Sequence, residues 1–332
     1  MTEKQFLRDS YLREAPAQVV DVTQEGDVVL NQSLFYATSG GQPGDGGVLR
    51  WNGQETVIST TVKGEADQII CLPAEGSVLP KVGQAVLQIL DWDQRYNHMR
   101  MHTALHLLSV VIPLPVTGGA ITAVKGRLDF NMPQALEDKD ALTEALNALI
   151  ARDLEITEEW ITERELDENP YLAKTMSVAP PRGAGKIRLI RIGTDDSSVD
   201  LQPCGGTHVA NTTEIGLFKI VAESGVAAGI RRIEAVAGPA VLAYLNERDA
   251  VVKQLGDRFK AQPSEIIDRV AILQEELKAT GKALAAAQAE LAVAKAGALA
   301  AKAEAVGEFQ LLVERLDGVE GAGLQGAAQS LA

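Results

Sequence analysis

Apolar residues change their spacing twice along the 332-residue chain. Up to about residue 90 they fall in short β-branched runs, at 17–22, 27–30, 56–62, 68–72 and 85–89, with glycines between several of them. Closely spaced runs of this kind predict a small barrel or sandwich. Between residues 91 and about 238 helical and strand spacings mix. Residues 93–111 read as a helix closed by Pro113, and 138–152 carry Leu142, Leu146 and Leu149 at helical spacing. Residues 157–168 read as an acidic helix or loop ending before Pro170, and 186–192 as a half-exposed strand alternating basic and apolar residues. Residues 215–221 and 229–236 add strands, so the class of this zone is α+β. From 239 to 332 the pattern is helical. One helix over 239–261 is broken at Pro263-Ser264, and a second runs to about Val306. Its Val270, Leu277, Leu284, Leu291 and Ala298 recur every seventh residue, with Leu273, Thr280, Ala287, Ala294 and Ala301 in a second seam. That is a coiled-coil pattern with small residues allowing close approach. It predicts a homodimer through these helices, or a monomer whose tail, read as one strand and a short helix, folds back over the seam.

Composition narrows the class. Hydrophobic residues are 46% and charged residues 23%, as in ordered globular chains. Two cysteines, Cys71 and Cys204, exclude a disulfide framework and fit a reducing compartment. A net charge of −14 argues against a nonspecific nucleic-acid coat, and 4% aromatics argue against broad base-stacking surfaces. The charged N-terminus has no signal-peptide pattern. The apolar stretch at 110–124 is too short to span a bilayer and is broken by Pro113, Pro115, Gly118 and Gly119. The Ala-rich C-terminal helix is interrupted by charges. A cytoplasmic location is expected.

The candidate chemistry lies in four residues. His102 and His106 stand four apart, on one face of a helix, and Gln202-Pro-Cys-Gly-Gly-Thr-His208 places Cys204 and His208 in one loop. Each pair alone is a weak signal. Together they hold three of the four histidines and one of the two cysteines, a donor set that suits one zinc per chain. Thr103 stands where a zinc peptidase has its Glu base, so that reading is set aside. His98 is read as structural or as a neighbour of the ligands. Residues 39–47 hold five glycines in nine, a loop able to bring its backbone close to a partner; without Gly-Lys-Ser/Thr it is not a phosphate loop.

These residues resemble those of a family. Phe35-Tyr36 with Ser-Gly-Gly-Gln-Pro-Gly-Asp45, His102-Thr-Ala-Leu-His-Leu-Leu108, Arg127-Leu-Asp-Phe130, Pro203-Cys-Gly-Gly-Thr-His-Val209, Ile215-Gly-Leu-Phe-Lys-Ile220 and Arg231-Arg-Ile-Glu-Ala-Val236 occur in the order found in freestanding alanyl-tRNA editing proteins of the AlaX type, which are related to the editing half of alanyl-tRNA synthetase. The resemblance implies three regions: a barrel-like domain with the Gly-rich loop (1–90), a zinc-dependent editing domain (91–238) and a helical hairpin or coiled coil with a shortened tail (239–332). It implies hydrolysis of mischarged tRNA(Ala), chiefly Ser-tRNA(Ala), with Gly-tRNA(Ala) as a second candidate. His102, His106, Cys204 and His208 would hold Zn2+. Ser33, standing for a family Thr, would recognise the serine hydroxyl, and Gln42 and Asp45 would shape the site. Arg182, Lys186, Arg188, Arg191, Arg231 and Arg232 are the candidate tRNA contacts, their alternative being a solvated strand face. Leu105 replaces a usual Thr and removes a hydroxyl. The editing-type sequence starts at Met1, which is read as leaving no room for a class II aminoacylation domain. Four protein ligands would close a tetrahedral zinc site, so catalysis needs one of them to be loose. The alternatives are a noncatalytic tRNA- or partner-binding module with structural zinc, and a zinc hydrolase of free esters or amides.

Overall fold

The computed structural model describes residues 2–172, 185–315, 317–319 and 321–331. The chain divides into two compact units, Met1–Asn246 and Glu247–Ala332.

In the first unit, β1 (Glu3–Lys4), β2 (Glu14–Val22), β3 (Val28–Leu30), β4 (Gln32–Ser33), β5 (Gly47–Trp51), β6 (Gln54–Lys63), β7 (Ile69–Pro73) and β8 (Ala85–Leu90) precede the first helix. Six of them close into a barrel in the order β2-β3-β7-β6-β5-β8, while β1 runs parallel to β4. Alternation along β2 sends Ala15, Ala17 and Val19 inward, where they meet Leu30, Leu49, Ile58 and Val86. Cys71 lies in the same core, where burial pushes its thiol up to about 12 and keeps it inert.

Helix α1 (Trp92–Val111) starts at Asp91, whose carboxylate accepts the Gln94 N–H. It buries residues on every side, from Arg95 to Ser109. A sheet ordered β14-β15-β10-β9 packs with it, formed by β9 (Val116–Ile121), β10 (Gly126–Asn131), β14 (Phe218–Ala227) and β15 (Ile230–Ala237). Helix α2 (Lys139–Ile150), capped by Asp138, adds Leu146 and Ile150 to that core. A three-stranded sheet of β11 (Ile156–Thr162), β12 (Lys186–Ile192) and β13 (Asp200–Pro203) completes the unit.

Two readings of the pattern change here. The acidic segment 157–168 is a strand up to Thr162, then helix α3 (Glu163–Glu168), begun by a Thr162/Glu165 capping box. The acidic residues are tolerated because β11 is an edge strand. β12 is not half-exposed: it is the central strand, with Ile187 and Leu189 packed under Leu166 on one face and Ile192 in the main core on the other. The β9–β10 hairpin and β13 escaped the sequence reading, because Gly118 and Gly119 interrupt the apolar alternation of β9 and β13 is only four residues long.

One buried ion pair fixes the barrel to α1. Arg95, wholly buried, donates to Asp45 Oδ2 through Nε (2.8 Å) and Nη2, and to the carbonyls of Ser10 (3.1 Å) and Leu34 (2.9 Å). Asp45 also accepts the Tyr36 N–H at 2.7 Å, closing the Gly-rich loop on itself.

In the second unit, α5 (Ile266–Leu299) follows α4 (Pro239–Phe259), within which the unit boundary falls. The helix ends before Val306. The chain instead forms a hairpin of β16 (Glu304–Val306) and β17 (Phe309–Leu311), turned at Gly307 with φ +66°. The tail helix α6 (Gly321–Leu331) folds back on α5, where Ala292, Ala296 and Ala327 are buried together. Leu277, Leu284 and Leu291 stay 73%, 58% and 52% exposed. By length and composition alone, Pro263–Lys302 is apolar enough to cross a membrane, at a mean hydropathy of 1.2 with 11% of that window buried. Much of that apolarity is alanine.

Removing the Arg95 guanidinium leaves Asp45 buried without its cation. Arg95→Met is expected to cost about 3–5 kcal/mol in urea unfolding, with part regained in Arg95→Met/Asp45→Asn. An unchanged midpoint in the single variant would deny the pair its anchoring role.

Candidate metal centre

Helix α1 delivers His102 and His106 one turn apart, and the loop after β13 delivers Cys204 and His208. The four ligand atoms lie within 4.8 Å of one another. Cys204 Sγ is 3.4 Å from His102 Nε2 and 3.3 Å from His208 Nε2. Tetrahedral zinc with its usual nitrogen and sulfur bond lengths requires ligand separations of about 3.5 Å, so the donor set and spacing fit that metal.

The outer nitrogen of each imidazole is fixed. His102 Nδ1 is 2.9 Å from Gln42 Oε1, His106 Nδ1 is 3.0 Å from Asp200 Oδ2, and His208 Nδ1 is 3.1 Å from Thr103 Oγ1. Thr103 donates its own proton to the Met99 carbonyl at 2.9 Å, so toward His208 it accepts. Gln42 Oε1 also takes the Thr207 N–H at 3.1 Å, while its amide nitrogen donates to Thr207 Oγ1 at 2.9 Å, which sets the orientation of the amide. Asp200 is held by Gln202 Nε2 at 2.8 Å. With Nδ1–H donated outward, each Nε2 is the nitrogen left to face a bound metal.

The electrostatics favour a thiolate at Cys204 and a neutral imidazole at His208. Burial opposes a thiolate at Cys204, but the imidazoles of His102 and His208 outweigh it and hold the thiol well below its ordinary value. Burial together with His102 depresses His208 to about 3. At His106 burial also lowers the value, but the bonds to Asp200 and Cys204 outweigh it and raise it to about 9. His98 lies buried on the same helix without contributing a ligand. Burial lowers its pKa and favours the neutral imidazole.

The loops are held by groups outside the centre. Arg188, with its side chain 4% exposed, donates to the carbonyls of Cys204 (3.1 Å) and Gly206 (2.7 Å) and pairs with Glu158. Beyond His208, Glu214 accepts the phenols of Tyr11 (2.7 Å) and Tyr96 (2.6 Å), and the Ala210 N–H donates to Tyr11. Burial opposes the charge on Glu214, but these phenols and the loop N–H groups keep its carboxyl below the usual value. Two glycines are sterically required. A Cβ on Gly41 would lie 2.3 Å from the Gly119 carbonyl, so the Gly-rich loop rests on β9; a Cβ on Gly206 would lie 2.2 Å from His102 Cε1.

Of the other sequence candidates, Gln42 reaches the centre and Asp45 serves the Arg95 anchor. Ser33 is fully buried and donates to the Phe35 carbonyl at 3.0 Å. Leu105 packs in the main core, where it fills the space beside Gly126. Arg188 is an internal loop anchor. Arg191 pairs with Glu159, Arg231 with Glu223 (2.6 Å) and Arg232 with Asp129 (2.7 Å). Lys186 is exposed, and Arg182 lies outside the described residues. Thr103, Asp200, Gln202 and Glu214 escaped the sequence reading. Only their nearness to ligands in the chain hinted at them.

Residues 187–234, which include Cys204 and His208, match the family model described as the threonyl and alanyl tRNA synthetase second additional domain. Residues 6–94, the barrel region, match that of class II (A) tRNA synthetases. The protein is thus related to class II synthetases and carries an editing-type domain. Among them the relatives are alanine–tRNA ligases. Identity is 49% over 332 residues to that of Synechococcus sp. WH7803, 51% over 333 residues to that of Parasynechococcus marenigrum WH8102, and 42% over 334 residues to that of Synechococcus elongatus PCC 7942. These alignments cover 96%, 96% and 95% of this chain but 36% of each relative, so the chain spans about a third of their length.

Gly206→Ala is expected to weaken zinc affinity by at least about tenfold in chelator competition, since it displaces His102 from Gln42. Gly205→Ala, with nothing within 4 Å of its Cβ, is the control and should bind normally. Equal affinities in both variants would contradict the assigned packing.

Proposed function

We propose that the chain is a trans-editing hydrolase that deacylates mischarged tRNA(Ala), chiefly Ser-tRNA(Ala), with Gly-tRNA(Ala) as a second substrate. The observation that carries this reading is the convergence of His102, His106, Cys204 and His208, three imidazoles with their outer nitrogens already engaged, the last two residues lying inside the segment that matches the second additional domain. A synthetase pocket for alanine cannot strongly reject glycine or a small hydroxylated side chain by binding alone, so a separate hydrolytic site is useful.

When bound, zinc supplies Lewis-acid polarisation of the ester carbonyl. The protein's part is positional. Gln42, Asp200 and Thr103 hold the imidazoles, Arg188 holds the ligand loop by its carbonyls, and exposed Gly205 leaves one side of that loop open to the aminoacyl end. Contact with tRNA is confined to the acceptor end, because Arg191, Arg231 and Arg232 already face carboxylates and the net charge is −14. The reaction takes place in the cytoplasm.

Ser-tRNA(Ala) should be hydrolysed about 5–150-fold faster than Ala-tRNA(Ala), the range for one recognised hydroxyl worth about 1–3 kcal/mol. Deacylation time courses check this, with Cys204→Ala expected to lose both zinc and activity. Equal rates on the two charged tRNAs would sink the editing claim. A protein that binds zinc and tRNA but hydrolyses neither is the noncatalytic module. Loss of serine preference in Ser33→Ala would assign recognition to that hydroxyl, and full preference would remove it.

The exposed stripe of Leu277, Leu284 and Leu291 is assigned to a coiled-coil contact with a second copy of the chain. Light scattering of the full chain at micromolar concentration should give the dimer mass, and a monomer mass rejects it.

A further inference from the structure

A groove of about 700 Å³ lies between the N-terminal segment and β11 of the first unit, lined among others by Lys4, Leu7, Arg8, Asp67, Glu158 and Trp160. Trp160 is 49% exposed, in a chain with only 4% aromatic residues. The groove's charges are largely cancelled: Lys4 pairs with Asp67, Arg8 with Glu3 at 2.8 Å, and Glu158 with buried Arg188. A neutral groove with one open indole is poorly suited to phosphate and well suited to a flat, uncharged ring.

Both walls lead to the metal centre. Trp160 stands opposite Arg188 in the β11–β12 register, and Glu158 is two residues away on the same face. The Arg188 guanidinium that meets Glu158 also holds the Cys204 and Gly206 carbonyls. On the other wall, β1 pairs with β4, whose chain continues into Tyr36 and the Gln42 loop. The groove is therefore one guanidinium away from the ligand loop. From these observations we infer that it receives an unpaired nucleobase from the 3′ end of the RNA whose ester is cleaved, with Trp160 as the stacking platform. The inference rests on the proposed reading of the centre as acting on an aminoacylated RNA. The unpaired end common to tRNAs is C-C-A, and each of these bases carries an exocyclic amine. Glu158 has acceptor capacity beyond its bond to Arg188, and carboxylates accept from such amines.

The test uses uncharged hairpin RNA, with and without a single-stranded CCA end, and fluorescence anisotropy with the full chain. The wild type should prefer the CCA-ended hairpin. Trp160→Ala should bind that hairpin about tenfold more weakly and the blunt one unchanged, while Trp160→Phe should stay within about threefold. Trp160→Leu replaces the alanine variant if melting shows that the latter is unfolded. Wild-type affinity in the alanine or leucine variant overturns the inference, as does a wild type indifferent to the CCA end. Because the RNA is uncharged, the two readings fail separately. Trp160-dependent CCA binding without deacylation removes the hydrolase and leaves the groove. Deacylation with CCA binding that ignores Trp160 removes the groove alone.

Discussion

Three imidazoles and a thiol brought to one point, two of them buried and two half-buried, carry polar atoms that must find partners within the protein. The structure depends on how those atoms are satisfied. Each imidazole spends its outer nitrogen on a different element: Gln42 from the Gly-rich loop, Thr103 from α1 and Asp200 from β13. A buried donor without a partner costs about 1–3 kcal/mol, so these three bonds oblige the barrel loop, the central helix and the three-stranded sheet to meet at one point. Gly206 is glycine because the His102 ring occupies the place a Cβ would take, and the two bonds to Thr207 give the Gln42 amide a single orientation.

Two buried arginines extend this arrangement outward. Arg95 joins the barrel to α1 through Asp45, and Arg188 joins β12 to the ligand loop through two carbonyls and Glu158. Charges so enclosed persist only when nearly every donor has an acceptor. They act as fixed points where loops would otherwise have freedom. Among the basic residues that read from sequence as RNA contacts, Arg188 is an interior brace and Arg191, Arg231 and Arg232 face carboxylates, while Lys186 is exposed. The second unit has a different physics. Its alanine seams bury little area per residue, so Ala292, Ala296 and Ala327 settle a short helix contact while the leucine stripe stays exposed.

Much of the first unit was legible in the sequence, because alternation and helical spacing are local. Five of the six barrel strands, β5 being the exception, and helices α1 and α2 lie close to where the pattern put them. The four-residue cluster was legible because rare residue types gathered in two short motifs. The central placement of β12 was not, since strand order is set by pairing partners far apart in the chain. β9 was hidden by glycines whose role, close approach to Gly41, exists only once the loop has docked.

What the sequence determined by itself is the donor set and the elements that carry it: a helix with histidines four apart and a glycine-rich loop with one cysteine and one histidine. What only the tertiary structure decided is which side chains hold those donors in place. Gln42, Thr103 and Asp200 lie 60, 105 and 94 residues from the histidines they fix. No local period records a hydrogen bond across such a span. It follows instead from the requirement that a buried polar atom find a partner wherever the fold brings one.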